Sequence, residues 1–379
     1  MFPIKRVAFF YISLCGIFFC GNFCGNNALF AQSETVSSAE LSLGIGQIYK
    51  HTPNFKAPIR GITSLTELSY EWQTAGAESW HTTHRYPIIG AHLIYADFGD
   101  PDIFGQAIGV FPSLSFSNRW RGRRFYSFFR LGFGLAYLTK YYNAVSNPLN
   151  NAIGRDWNNV TAARAGVGFR LTPNLELMAG GSFTHFSNGS SQLPNLGINA
   201  LAPFLSLRYT PKAIGKYAEN KAFLKNPRWH GLFSANYAVE EAIAFGGPRY
   251  AYLIGTAGAM YDLNITHHLF ALAEYEFSES RYKWARNVMP EHLSEELAIN
   301  YGSRYSVEVG DEFQFGQFAF STSVGVYLVS GTNAPPVYEK ISWRYYFLPE
   351  KTTQPFLNIY LKAHDISAVY FGFGGGLRF

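Results

Sequence analysis

Apolar and polar residues alternate with a period of two along most of this chain. Leu175, Leu177, Ala179, Gly181 and Phe183 fall on one side of a strand, with Glu176, Met178, Gly180, Ser182 and Thr184 on the other. Phe129, Leu131, Phe133, Leu135 and Tyr137 oppose Arg130, Gly132, Gly134 and Ala136 in the same way. Tyr305, Val307 and Val309 oppose Arg304, Ser306 and Glu308, and the run through Phe318, Phe320, Thr322, Val324, Val326 and Leu328 repeats the pattern. Side chains two apart on a strand point the same way, so each run carries an apolar row and a row of smaller or polar residues. Twelve further strand-like runs begin near Glu40, Thr63, Ile88, Gly105, Val160, Ala202, Arg228, Ala251, His267, Tyr338, Gln354 and Ala368. Several are shorter than the roughly 9–11 residues that a membrane-spanning strand needs, so the expected count is about 12–14 strands.

Composition says where such strands belong. The 379 residues are 17% aromatic and only 15% charged, yet the mean hydropathy is −0.05. A barrel in lipid gives this combination, because only alternate residues touch hydrocarbon. The predicted fold is therefore all-β, an antiparallel transmembrane barrel in which every backbone amide is paired and no edge stays open. The outer rows, at Leu131 and Val309, are expected to reject charge, whereas the inner rows, at Gly132 and Ser306, should tolerate it better.

The first residues read as an export signal. Lys5 and Arg6 precede an apolar run from Val7 to Phe19 that is too short to span as a helix, and cleavage is expected after Ala31. Residues 32–379 are then expected to form a single outer-membrane barrel domain. All three cysteines, Cys15, Cys20 and Cys24, leave with the signal, which removes disulfides, thiolate metal sites and cysteine nucleophiles from consideration. The net charge of +5 loses two and becomes +3, too little and too scattered for a nucleic-acid partner. The stretch from Pro211 to Pro227 carries four lysines among Ala, Tyr and Glu and reads as a long connection, with a short amphipathic helix as the alternative.

The candidate chemistry lies at the end of the run through Phe183. His185 and Ser187 share its apolar face, where polar side chains are costly unless they pair or meet a headgroup. A serine hydroxyl needs a neighbouring base, usually imidazole, and the resulting oxyanion needs donors. Asn188 offers a side-chain amide, and Gly189 permits an unusual turn. Pro194, Asn195 and Gly197 follow in the returning loop. His267-His268 lacks further ligands at metal spacing and reads as an interfacial pair, and no phosphate-cradling loop is present. His364-Asp365 reads as a turn. Arg119, Arg121, Arg123 and Arg124 read as an inter-strand turn, with contact to lipid phosphates as the alternative.

These residues resemble the active-site region of the outer-membrane lipid A 3-O-deacylase (PagL-type) and acyloxyacyl hydrolase-like family, in its longer Bacteroidetes-like form. His185, Ser187, Asn188 and Gly189 match the family's His-x-Ser-Asn-Gly/Ala pattern, and Pro194, Asn195 and Gly197 match its following turn. The similarity runs from about Arg130 to Tyr209. It implies a cofactor-independent ester hydrolase of the bacterial outer membrane that removes an acyl chain from lipid A of lipopolysaccharide. In that reading Ser187 is the nucleophile, His185 the base, and Asn188 with Gly189 the oxyanion donors. One position departs: Asn199 stands where the family carries the acidic triad member. An amide can orient imidazole but cannot neutralise its charge, so reduced turnover is expected unless a carboxylate such as Glu176 or Asp156 substitutes. The alternative is a non-enzymatic porin-like or structural barrel with a vestigial serine site. The terminal strand from Tyr370 to Phe379 resembles the segment read by the barrel assembly machinery, and a homodimer stays open as an oligomeric state.

Overall fold

The computed structural model describes residues 36–212, 217–218, 228–241, 245–289, 293–331, 335–349, 351–365 and 367–379. The export signal and its cleavage point, and most of the 211–227 connection, lie outside the described residues. All sixteen runs read from the sequence form strands of 10–14 residues. The expected 12–14 therefore undercounts them. Nor do they close one barrel: eight strands close on themselves, and then eight more.

The first barrel consists of β1 (Val36–Ile48), β2 (Thr63–Gln73), β3 (Ile88–Asp97), β4 (Gln106–Ser117), β5 (Phe125–Leu138), β6 (Trp157–Arg170), β7 (Leu175–Ser187) and β8 (Ile198–Tyr209). It shuts where β1 pairs antiparallel with β8, Leu41 opposite Leu207. The second consists of β9 (Trp229–Glu241), β10 (Arg249–Asp262), β11 (His267–Ser278), β12 (Ser303–Phe315), β13 (Phe318–Ser330), β14 (Val337–Tyr346), β15 (Gln354–His364) and β16 (Ser367–Arg378). Here β16 returns to β9, Phe373 opposite Tyr237. The Phe379 amide donates to the Gly231 carbonyl at 3.0 Å, extending that seam to the last residue. Among the described residues, three short α-helices lie between strands: α1 (Ser79–Thr83), α2 (Glu279–Asn287) and α3 (Glu295–Gly302). None of the helices among the described residues is long and apolar enough to cross a membrane.

The alternation sorts side chains as read. Leu135, Val309 and Leu328 are exposed on the outer faces, and Arg130, Glu176 and Glu308 are buried inside. An eight-stranded barrel is just wide enough for side chains to fill, and ion pairs fill both of these. Arg130 reaches Glu67 and Glu40 at 2.8 Å each and Glu71 at 2.7 Å. In the second barrel Lys362 reaches Glu276 at 2.7 Å and Glu274 at 2.9 Å. Near one mouth of the first barrel the filling turns apolar, with Phe98, Phe104, Ile153, Phe186 and Ile198 in one cluster.

Loop length orients the barrels. Segments 49–62, 139–156, 188–197 and 279–302 join strands at the end where β7 finishes, whereas the other end has the tight turns 171–174, 263–266 and 316–317 and a longer segment, 74–87. Long loops face outward in outer-membrane barrels and short turns face the periplasm, so Ser187 lies at the outer rim. The arginine-rich turn lies at the opposite rim, with a single 3-10 turn at Arg119–Arg121 and Arg119 paired to Glu176 at 2.8 Å. It is a connection remote from the outer rim.

The two barrels touch at both rims. At the outer rim the Glu241 amide donates to the Ser190 carbonyl at 3.1 Å, Ser190 Oγ donates to the Ala368 carbonyl at 2.9 Å, and Arg249 donates to Gln192 at 2.8 Å. At the periplasmic rim the Trp80 ring meets Phe315 edge-on at 6.3 Å.

Candidate active site

The last turn of β7 is held from both sides of the wall. Phe186 points into the lumen, fully buried, with its ring edge-on to Phe98 at 5.5 Å. That anchor fixes the neighbours His185 and Ser187 on the outer face, with Cα atoms about 6.6 Å apart at strand rise. Register supplies the rest. His185 stands opposite Asn199 on β8 and opposite Thr161 on β6, while Ser187 stands opposite Asn159.

His185 Nδ1 lies 2.6 Å from Asn199 Oδ1. An amide oxygen only accepts, so Nδ1 carries the proton and Nε2 is left as the basic nitrogen. The amide is itself held. Asn199 Nδ2 donates to His51 Nδ1 at 2.8 Å, which turns Oδ1 toward His185. Asn159 Nδ2 donates to Ser187 Oγ at 3.1 Å and also to the Ser187 carbonyl. Because the hydroxyl accepts from Asn159, its own proton remains available. Among the described residues, no hydrogen bond joins His185 to Ser187 in this resting arrangement.

The loop after Ser187 brings the other candidates together. The Asn188 amide donates to Asn195 Oδ1 at 2.8 Å, and Asn188 Oδ1 accepts from the Gln192 amide at 3.2 Å. Asn188 Nδ2 is buried without a hydrogen-bond partner among the described residues. A buried donor without a partner costs about 1–3 kcal/mol. Gly189 has φ +58°, and a Cβ there would sit 1.9 Å from the Phe371 ring of the second barrel. Gly197 has φ +77°, and its Cβ would lie 2.5 Å from His185 Cε1. Neither position admits another residue without displacing the imidazole or the second barrel. Pro194 follows a cis peptide bond in the same loop.

Neither carboxylate considered as a substitute for the acidic triad member fills that place. Glu176 is buried at the other end of β7, bonded to Arg119 and to Tyr126 at 2.8 Å each, about 30 Å along the strand from His185. Asp156 accepts from the Trp157 amide at 2.8 Å. His51 and Asn159 are the members that sequence reasoning missed. Both come to the site through loop placement and cross-strand register.

Burial lowers the proton affinity of the His51 ring below the ordinary histidine value of 6.5, which keeps it neutral and able to accept from Asn199. His267 and His268 pair instead with Asp311 at 2.5 Å and Asp262 at 2.8 Å. No cluster of three metal-ligating side chains occurs among the described residues.

The fold, with His185, Asn199 and Ser187 together on its outer face at the outer rim, defines the class: an outer-membrane β-barrel protein with a polar cluster on its outer wall. Residues 65–209 match the family model described as lipid A 3-O-deacylase (PagL). Residues 228–379 match the one described as acyloxyacyl hydrolase, C-terminal domain. The chain belongs to this lipid A deacylase and acyloxyacyl hydrolase family of outer-membrane hydrolases, and each match falls on one barrel. Among solved structures, it is similar to the outer membrane enzyme PagL, at 17% identity over 44% of this chain and 97% of that one, with a TM-score of 0.31. It is also similar to a porin of Rhodopseudomonas blastica, at 8% identity over 91% and 99%, TM-score 0.17. Comparison with curated proteins gives no match.

Proposed function

We propose that this protein hydrolyses an ester-linked acyl chain of lipid A through Ser187. The observation that carries the reading is the outward-facing row of His185 and Asn199 beside Ser187, with Asn188 Nδ2 without a hydrogen-bond partner among the described residues. In the first step Ser187 Oγ attacks the ester carbonyl carbon while its proton passes to His185 Nε2. The carbonyl oxygen becomes an oxyanion that accepts from Asn188 Nδ2, with the Gly189 turn beside it. Collapse expels the glycosyl hydroxyl, which takes the proton back from His185 and leaves the acyl group on Ser187. Water then attacks the acyl-enzyme with His185 again as base, releasing the fatty acid and restoring the serine.

Asn199 takes the orienting role of the missing carboxylate, and His51 fixes which end of the amide does so. It sets the tautomer but supplies no charge to the imidazolium. Pro194, Asn195 and Gly197 hold the loop: Asn195 through the Asn188 amide, Gly197 by leaving room for the imidazole. A transport role would need an open lumen, and the ion-paired filling of both barrels counts against it. The same reading makes the terminal strand ending at Phe379 the segment presented to the barrel assembly machinery.

The test is mass spectrometry of lipid A from cells expressing the full chain or Ser187→Ala. Loss of one acyl chain only with wild type supports the reading. Equal release by Ser187→Ala, with both proteins in the outer membrane, overturns the serine mechanism.

A further inference from the structure

Between their two lines of contact the barrels border an open-sided cleft of 2390 Å³. Its lining takes outward residues from both barrels, Leu93, Val110 and Phe133 on one side and Trp343, Ile359 and Phe373 on the other, and behind them inward polar residues such as His92 and Arg344. Pockets for single small ligands measure about 300–1,000 Å³, so this space is larger than a small-ligand site. The outward part of the lining is the lipid face of membrane-spanning strands. Along that outward part, hydrocarbon covers apolar side chains without leaving polar groups unpaired.

The upper end of the cleft leads to the serine. Phe133 lines the cleft and packs on Phe371 of the second barrel, ring centroids 6.2 Å apart. The Phe371 ring in turn lies against Gly189, two residues beyond Ser187. In the strand register Phe133 stands opposite Thr161, Thr161 opposite His185, and His185 opposite Asn199. One row thus runs from the cleft wall to the imidazole, about 10 Å across two strand spacings. Along it Phe133 is 6% exposed and Thr161 1%, though both are on the outer face of their barrel.

We propose that the cleft is the acyl-chain site of this enzyme, and that the second barrel serves as its far wall. The occupant is a multiply acylated membrane lipid whose scissile ester sits at Ser187 while its chains descend between the barrels. The proposal rests on the esterase reading above for the position of that ester, but occupancy can be tested without turnover. Phe371 then acts as a gate between cleft and serine rather than as a catalytic group.

Two substitutions narrow the cleft, one from each wall: Ala91→Trp, an outward residue of β3 that lines it, and Ile359→Trp on β15. Leu205→Trp, an exposed outward residue of β8, serves as the control. In the full-length Ser187→Ala protein, native mass spectrometry should show bound lipid A from the outer membrane. Retention should fall with either cleft tryptophan and persist with Leu205→Trp. On the serine-intact background the cleft variants should slow lipid A hydrolysis by about 10-fold or more through lost chain burial. Hydrolysis of 4-nitrophenyl butyrate should stay within about twofold, since a short ester needs no cleft. Using both variants guards against one that fails to assemble. Undiminished lipid A retention in both variants, or retention of phospholipid alone, overturns the cleft. A wild type that binds lipid A but cleaves neither ester overturns the serine reading and leaves the cleft standing.

Discussion

Asn199 Oδ1 lies 2.6 Å from His185 Nδ1, where a serine hydrolase ordinarily places a carboxylate. In the well-studied Asp-to-Asn change of a serine protease triad, about 10⁴ in kcat is lost because the imidazole takes the wrong tautomer. Here His51 accepts from Asn199 Nδ2, so the tautomer is right and only the charge is missing. Asn199→Glu should therefore raise kcat by about 10-fold or more, whereas Asn199→Leu should lower it, because neither charge nor acceptor remains. Steady-state kinetics on purified lipid A checks both directions. An Asn199→Glu enzyme no faster than wild type would mean that the amide already supplies all the orienting residue can.

Much of the lumen's stability hangs on Arg130, which bonds three buried carboxylates. Arg130→Met should destabilise the first barrel by about 3–5 kcal/mol, since Glu40, Glu67 and Glu71 lose their shared cation in a dry interior. Urea unfolding of the full chain in detergent, followed by heat-modifiable mobility, reads the change. A midpoint equal to that of wild type would show that Arg164 and Arg208 alone neutralise the three.

The outer rows make the opposite demand. Val309 is 64% exposed on the lipid face of β12, and Val309→Arg should cost about 2–4 kcal/mol if it lies near the bilayer midplane. The yield of folded protein in lipid vesicles measures it. Folding as complete as that of wild type would take β12 out of the membrane.

Which parts of this were legible follows from what a strand pattern encodes. Alternation gives the face of each side chain, so Leu131 and Val309 outside, Arg130 and Glu308 inside, and His185 with Ser187 outside could all be read. It does not give the partner on which a sheet closes. β8 and β9 look like consecutive strands, yet β8 returns to β1 and β9 pairs with β16. Nor does it give the packing opposite a small residue. Gly132 was expected to tolerate charge, but a Cβ there would meet the Phe111 ring at 2.4 Å. Ser306 is buried with its hydroxyl 2.9 Å from Tyr338 OH. The inner rows are small because facing side chains fill the space. The serine and histidine were visible because they are two residues apart, whereas His51 is 148 positions from Asn199 and comes to it only through barrel closure.

The role of His51 can be separated from that of a mere neighbour by combining it with Asn199. If its ring only packs, His51→Ala should cost the same whichever residue occupies position 199. If it orients the amide, the cost should depend on there being an amide to orient. A neutral hydrogen bond contributes about 0.5–1.5 kcal/mol, so His51→Ala alone should lower kcat by roughly 2- to 10-fold. In the Asn199→Glu background both carboxylate oxygens accept, no orientation needs fixing, and His51→Ala should cost little; the coupling in this cycle isolates the orienting contribution. Acid should imitate the alanine. As pH falls through the depressed His51 value, its Nδ1 gains a proton and can no longer accept from Asn199 Nδ2, which frees the amide to turn. That component of the acid limb should lie below 6.5, the ordinary histidine value, and should vanish in His51→Ala, leaving the titration of His185. Equal losses in the two backgrounds, with acid limbs that coincide, would return His51 to a packing role.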